Sequence, residues 1–178
     1  MTNKNKKGFT IIEVVLVLAI AGLIFLMVFI ALPALQRSQR NTQREDDLAR
    51  IITAVNNYQS NNQGKVPFKD GAGIDELGKF VSRYVDSTCA VDGGAIKCSD
   101  NSNEFRDPQG ETYKIENKGK APAGDGTDVS TNMVEKTFYG YYNATCGDEG
   151  IVKPGTGDRD VAVFMKLEGG AIACNDNH

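Results

Sequence analysis

KGFTIIEVVLVLAIAGLIFLMVFIAL, residues 7–32, decides the architecture of this chain. From Val14 to Leu32 it holds no charged side chain. That run matches the roughly 20 apolar residues a helix needs to cross a bilayer core. One acid, Glu13, stands at its entrance. A carboxylate at the centre of a membrane helix costs roughly 2.5–3.5 kcal/mol, and less near the interface. Glu13 is therefore a functional clue. Gly8 and Phe9 stand just before it, behind a polar leader that carries Lys4, Lys6 and Lys7 and no acid.

A secretory signal has a basic start, an apolar stretch of about 7–15 residues and a small-residue cleavage site after it. Here the apolar run is longer, and Leu32-Pro33-Ala34 at its end makes a poor site of that kind. The cut is expected before the run, so that the anchor stays. Charge alone does not orient the span, because Arg37, Arg40 and Arg44 follow it as the lysines precede it.

The rest of the chain is polar and glycine-rich. The net charge is −3; without the three leader lysines, 17 basic residues face 23 acidic ones, a net of −6. An acidic body argues against a general nucleic-acid surface, and no specific nucleic acid is expected as partner. Cys89, Cys98, Cys146 and Cys174 all lie in the body. An even count behind a membrane-targeting segment points to two disulfides outside the cytoplasm, which also places the body there. Three connectivities exist; Cys89–Cys98 with Cys146–Cys174 is favoured, since Asp92-Gly93-Gly94 is a turn signal between the first two. Zinc is not expected without a CxxC or a histidine pair.

The segment Lys7-Gly8-Phe9-Thr10-Ile11-Ile12-Glu13-Val14 resembles the prepilin processing motif of type IV pilins and their relatives. The likeness covers about thirty residues, and the body matches in general layout. It implies that a membrane prepilin peptidase cuts between Gly8 and Phe9, so that residues 1–8 leave as a leader, and that the new amine of Phe9 is N-methylated. It also implies that Glu13 supports assembly by facing the terminal amine of a neighbouring subunit. A buried carboxylate needs a partner, and an ammonium is one. Such a pair fixes the register of one helix against another.

After the span, Leu48, Ile51, Ile52, Val55 and Tyr58 recur at three- and four-residue spacing, one stripe of a helix that continues to about Gln63. Gly64 and Pro67 stop it. Gly22 and Pro33 are expected to interrupt it. Residues 9–35 then form a transmembrane and assembly helix, 36–63 an amphipathic continuation and 64–178 a globular head. In the head, Asp75–Val85 reads as a short helix, Cys89–Cys98 as a hairpin and Thr112–Ile115 as a strand. Lys118–Thr131 and Gly147–Asp160 read as exposed loops. Lys136–Cys146, Val161–Leu167 and Ala171–Cys174 read as strands, with a Gly169-Gly170 turn. The fold class is α+β: a long N-terminal helix, transmembrane half plus amphipathic half, packed on a C-terminal antiparallel sheet.

Catalytic chemistry is thin. His178 is the one histidine, no nucleophile arrangement forms around it, and no phosphate-binding loop is present. An enzyme is not expected, nor a cofactor. Asp148, Glu149, Asp158 and Asp160 surround one loop and are hard oxygen donors of the kind that bind calcium, although a solvated acidic loop is the simpler reading. Asn143-Ala144-Thr145 is a formal glycosylation sequon. Tyr139, Tyr141 and Tyr142 are expected as core on one face of a strand and surface on the other. The leading expectation is a type IV pilus subunit serving adhesion, twitching motility or DNA uptake. Its partners would be copies of itself, the prepilin peptidase, an inner-membrane assembly platform and, before assembly, membrane lipid. A pseudopilin of a type II secretion or competence system is the close rival. A bitopic membrane protein with an extracellular ligand-binding domain is the rival of another class.

Overall fold

A computed structural model describes residues 8–98 and 105–178. The three leader lysines and residues 99–104 lie outside that description. Helix α1 runs Ile11–Asn61 and contains Pro33 in its interior. The expected interruption at Gly22 and Pro33 does not occur: the helix is continuous through both. Two compact units divide the chain, residues up to Gln39 and residues from Arg40.

In the first unit, the large apolar side chains from Val14 to Leu35 are all exposed. Among the described residues α1 is the one helix long and apolar enough to cross a membrane, and its apolar window lies near the N-terminus.

The second unit begins inside α1. Leu48, Ile51, Ile52 and Val55 are buried there, as their spacing requires. After the helix come α2 (Ile74–Phe80) and a π turn (Val81–Val85). Leu77, Phe80 and Val81 are buried, and Tyr84 packs at the edge of the same core. Among the described residues nine strands follow: β1 (Cys89–Asp92), β2 (Ala95–Cys98), β3 (Lys114–Lys120), β4 (Thr127–Asp128), β5 (Thr137–Tyr142), β6 (Ala144–Cys146), β7 (Ile151–Pro154), β8 (Val161–Lys166) and β9 (Ile172–Asp176). They form a six-stranded sheet, β1-β2-β3-β5-β8-β9, and a three-stranded sheet, β4-β7-β6. The architecture is α+β and the pairing mainly antiparallel; the exception among the described strand pairs is β3 with β5, which run parallel.

That exception corrects the reading of Lys118–Thr131 as an exposed loop. Lys118 to Lys120 complete β3, whose Lys114, Glu116, Lys118 and Lys120 alternate outward while Ile115 is buried. Charge on one face hides a strand when its partner is remote in sequence. The loop expectation for Gly147–Asp160 is corrected likewise, since β7 lies within it and buries Val152.

The large sheet is covered on both faces. Phe138 and Tyr142 of β5 and Val163 and Met165 of β8 join the helix-side core with Leu48, Ile51 and Val55. Tyr139, Tyr141 and Phe164 join a second core with Met133, Ala144 and Val152. The expectation that one face of β5 is surface is therefore wrong: all six of its residues are buried. Asn143, at φ 49°, separates β5 in one sheet from β6 in the other. On the helix side, a Cβ at Gly140 would run into the ring of the fully buried Phe68. Gly140→Ala is expected to destabilise the head by about 1–3 kcal/mol, the range for overpacking. Urea denaturation checks this; an unchanged midpoint would mean that Phe68 has room to move.

A polar bracket fastens the head's first helical turns. Arg40 pairs bidentately with Glu168, Nε to Oε1 at 2.8 Å and Nη2 to Oε2 at 2.7 Å. Asn41 and the Glu168 backbone exchange hydrogen bonds, both at 3.1 Å. The Arg44 guanidinium is fully buried; its Nε donates to Asp107 Oδ1 at 2.6 Å, and its Nη2 lies 3.1 Å from Glu168 Oε1. That second approach is close enough for an ion pair but misaligned for a hydrogen bond. Glu168 sits in the turn between β8 and β9.

One turn further along, Tyr113 donates its hydroxyl to Asp47 Oδ2 at 2.8 Å. Burial pushes the Asp47 carboxyl up, and the bonds from Tyr113 and Arg50 only partly oppose it. A raised folded-state value means that the fold favours the proton. Stability from this group is fully present below the ordinary carboxylate range and is lost as pH rises through the raised value. Asp47→Asn keeps an acceptor for Tyr113 and removes the charge. The variant is expected to match the parent at pH 3 and to be the more stable of the two at pH 7. Melting curves at both pH values check the sign; a variant weaker at pH 7 would show that the Arg50 pair dominates.

Candidate functional site at the helix start

Thr10 stands just before the first helical residue and caps the helix. Its Oγ1 accepts the Glu13 N–H at 3.3 Å. In return Glu13 Oε2 accepts the Thr10 N–H at 3.1 Å and the Thr10 hydroxyl at 2.9 Å. This reciprocal pattern is a capping box, which satisfies backbone donors that the helix leaves open at its start. The carboxylate also lies where the helix dipole favours negative charge. Glu13 is thus held against its own helix start, with Oε2 engaged twice.

Gly8 and Phe9 precede the cap. Both are exposed, Phe9 by 87 %, and nothing lies within 4 Å of a Cβ built on Gly8. The Gly8–Phe9 peptide is therefore open to approach, and only a small residue precedes the bond. Phe9, Glu13, Val14, Val17 and Leu18 line a shallow apolar groove along the same unit. Among the described residues the arrangement is an accessible peptide, a carboxylate and an exposed apolar helix.

The capping role of Thr10 is what sequence reasoning missed. The signal was present: Thr, then Glu three positions later, then an apolar run, is a helix-start signature.

The other singled-out residues lie in the head. Cys146 and Cys174 form a disulfide that joins β6 to β9. Cys89 is disulfide-bonded as well, and the β1–β2 ladder sets it opposite Cys98. Gly93 and Gly94, both at positive φ, make the tight turn between these strands. Asp148 and Glu149 are exposed on a turn before β7, and Asp158 is exposed in the loop after it. Asp160 serves its own loop: its Oδ2 accepts from the Thr156 N–H, the Thr156 hydroxyl and the Gly157 N–H. Burial works against charge on Asp160, but these bonds outweigh it and hold the carboxyl below its ordinary value. Among the described residues no three acidic, histidine or cysteine side chains gather as metal ligands, so these four do not make one cage.

A family model described as the prokaryotic N-terminal methylation motif matches residues 3–29. The match spans Gly8, Phe9, Thr10, Glu13 and much of the exposed apolar helix. This motif, with a long apolar helix behind it, is typical of type IV pilins and pseudopilins, which are structural subunits rather than an enzyme family. No curated protein and no solved structure matches the chain.

Proposed function

We propose that this chain is a structural subunit of a type IV pilus, cut between Gly8 and Phe9 by a prepilin peptidase and N-methylated on Phe9. The observation that carries this reading is the methylation motif at residues 3–29, set on an exposed apolar helix with Glu13 at its head. Before assembly the helix from Phe9 to about Leu35 lies in the membrane with the head outside, where Cys146–Cys174 and a Cys89–Cys98 bridge persist. On assembly, copies of the helix bundle into a filament core. Glu13 Oε2 stays on Thr10, and Oε1 faces the Phe9 ammonium of a neighbour. An inner-membrane platform recruits the subunit. The filament serves adhesion, twitching motility or DNA uptake. A pseudopilin of a secretion or competence system shares the same motif, and the presence of long surface filaments separates the two.

Glu13→Ala is expected to reduce filament yield by about tenfold or more, because the neighbour's ammonium loses its partner inside an apolar bundle. The subunit should still accumulate in the membrane. Electron microscopy and membrane fractionation read both quantities; filaments at the parental level would end the role of Glu13. Mass analysis of the mature N-terminus is expected to show methyl-Phe9. An intact Met1 would instead favour a bitopic receptor.

A further inference from the structure

The head has a groove, where the last turns of α1 meet α2, that assembly through the apolar helix does not use. Two hollows, of about 160 and 340 Å³, share Tyr58 of α1 and Glu76 of α2 in their walls. The larger falls in the range of small-ligand sites, about 300–1,000 Å³. Lys79 and Arg83 line the first hollow, and Lys65 and Lys69 the second. All four are exposed, and none makes an ion pair among the described residues. From Arg40 onward the chain carries 16 basic and 22 acidic residues, so four such cations around one tyrosine run against its overall charge.

Hydrogen-bonding groups stand among these charges. The Tyr58 hydroxyl has no hydrogen-bond partner among the described residues. Burial, with the Glu76 charge behind it, pushes that hydroxyl up, so it keeps its proton and remains a donor. Tyr84 accepts from Asn62 Nδ2 at 3.1 Å and still has its own O–H to give. Glu76 is an exposed acceptor. The second carboxylate of the groove, Asp70, is engaged by the Tyr142 hydroxyl at 2.6 Å. The rings pack on one another: Tyr58 meets Phe80 and Tyr84 edge-on, with centroids 5.8 and 5.4 Å apart, and Tyr84 stacks on Phe80. A nucleic acid would want a free ring face for its bases and would bring phosphate up to Glu76. A saccharide wants donors and acceptors for its hydroxyls, and the groove has both.

We propose that this groove binds a linear acidic saccharide. Its carboxylates go to Lys65 and Lys69 in one hollow and to Lys79 and Arg83 in the other. Its hydroxyls receive from Tyr58 and Tyr84 and donate to Glu76. The site lies within the head and does not depend on whether the chain polymerises.

Calorimetric titration of the full-length chain, in a non-ionic detergent, with a hexamer of galacturonic acid tests the groove. The hexamer is expected to bind, and to bind more weakly as salt is raised. Lys79→Gln combined with Arg83→Gln should weaken binding about tenfold or more, as the loss of two charged hydrogen-bond donors implies. Tyr58→Phe, which keeps the ring packing, should weaken it several-fold. Lys114→Gln, on the exposed face of β3, should leave it unchanged. No binding at millimolar hexamer would overturn the proposal. So would equal losses in Lys114→Gln and the double variant, or parental affinity in both the double variant and Tyr58→Phe. An oligothymidine strand that binds as tightly as the hexamer, with the same loss in the double variant, would also overturn it, by making the ligand a nucleic acid.

Discussion

Arg44→Ala is expected to cost the head about 3–5 kcal/mol, the range for breaking a buried ion pair from one side. Arg44 and Asp107 are both out of water, at 0 % and 2 % exposure. Removing the guanidinium leaves the Asp107 carboxylate buried with, among the described residues, the Gln109 backbone N–H as its remaining hydrogen-bond donor. The pair itself need not be strongly stabilising, since its attraction is set against the loss of solvent by both ions. The double variant Arg44→Met with Asp107→Asn is therefore expected to recover most of the loss, because the methionine occupies the space of the buried arginine stem and the asparagine still accepts from Gln109. Urea denaturation of the full chain in detergent measures all three species. A single variant within 1 kcal/mol of the parent would mean that water reaches Asp107 readily. A double variant as weak as the single would mean that the pair is a net stabiliser.

Replacing Cys146 and Cys174 by alanine is expected to lower stability by about 3–4 kcal/mol on the loop-entropy scale, for a separation of 28 residues. The loss should not be uniform. The bridge joins β6, in the small sheet, to β9, at the edge of the large one. Without it the small sheet keeps its second core, but β9 and β6 lose their covalent tie. Limited proteolysis should then cut first between Ala144 and Asp160, with the helix-side core still protected. Simultaneous digestion of both layers would show that they melt as one.

Much of this fold was legible in the residues. The three- and four-residue spacing of Leu48, Ile51, Ile52 and Val55 gave the buried stripe of α1, and all four are in the core. The Asp92-Gly93-Gly94 signal gave the β1–β2 turn. The charge-free run behind Glu13 gave the exposed helix. What was not legible depends on distance along the chain. β3 finds β5 as a parallel partner across 16 intervening residues, and no local pattern announces such a pairing. The bracket joins Arg44 to Asp107 over 63 positions and Arg40 to Glu168 over 128. Its only trace in the sequence is negative, the missing apolar side chains between Leu35 and Leu48. One face of β5 read as surface because the small sheet that covers Tyr139 and Tyr141 rests on β7, inside a loop of glycine and aspartate. At the helix start, Gly8, Phe9 and Glu13 were evident as a motif. The cap that Thr10 makes was overlooked because the motif drew attention to charge, while a cap is a matter of backbone donors.

The large sheet stands between two cores, and this bears on how sequences of this kind can drift. Alternate residues of β5 and β8 belong to different layers. Substitutions among Met133, Tyr141, Val152 and their neighbours are absorbed on one side of a wall of backbone hydrogen bonds. The stripe of α1 packs on the other side. The outer layer can therefore be rewritten by selection, residue by residue, while the helix-bearing face stays under a separate constraint. A lineage could change what its outer layer presents without renegotiating how its helix is seated.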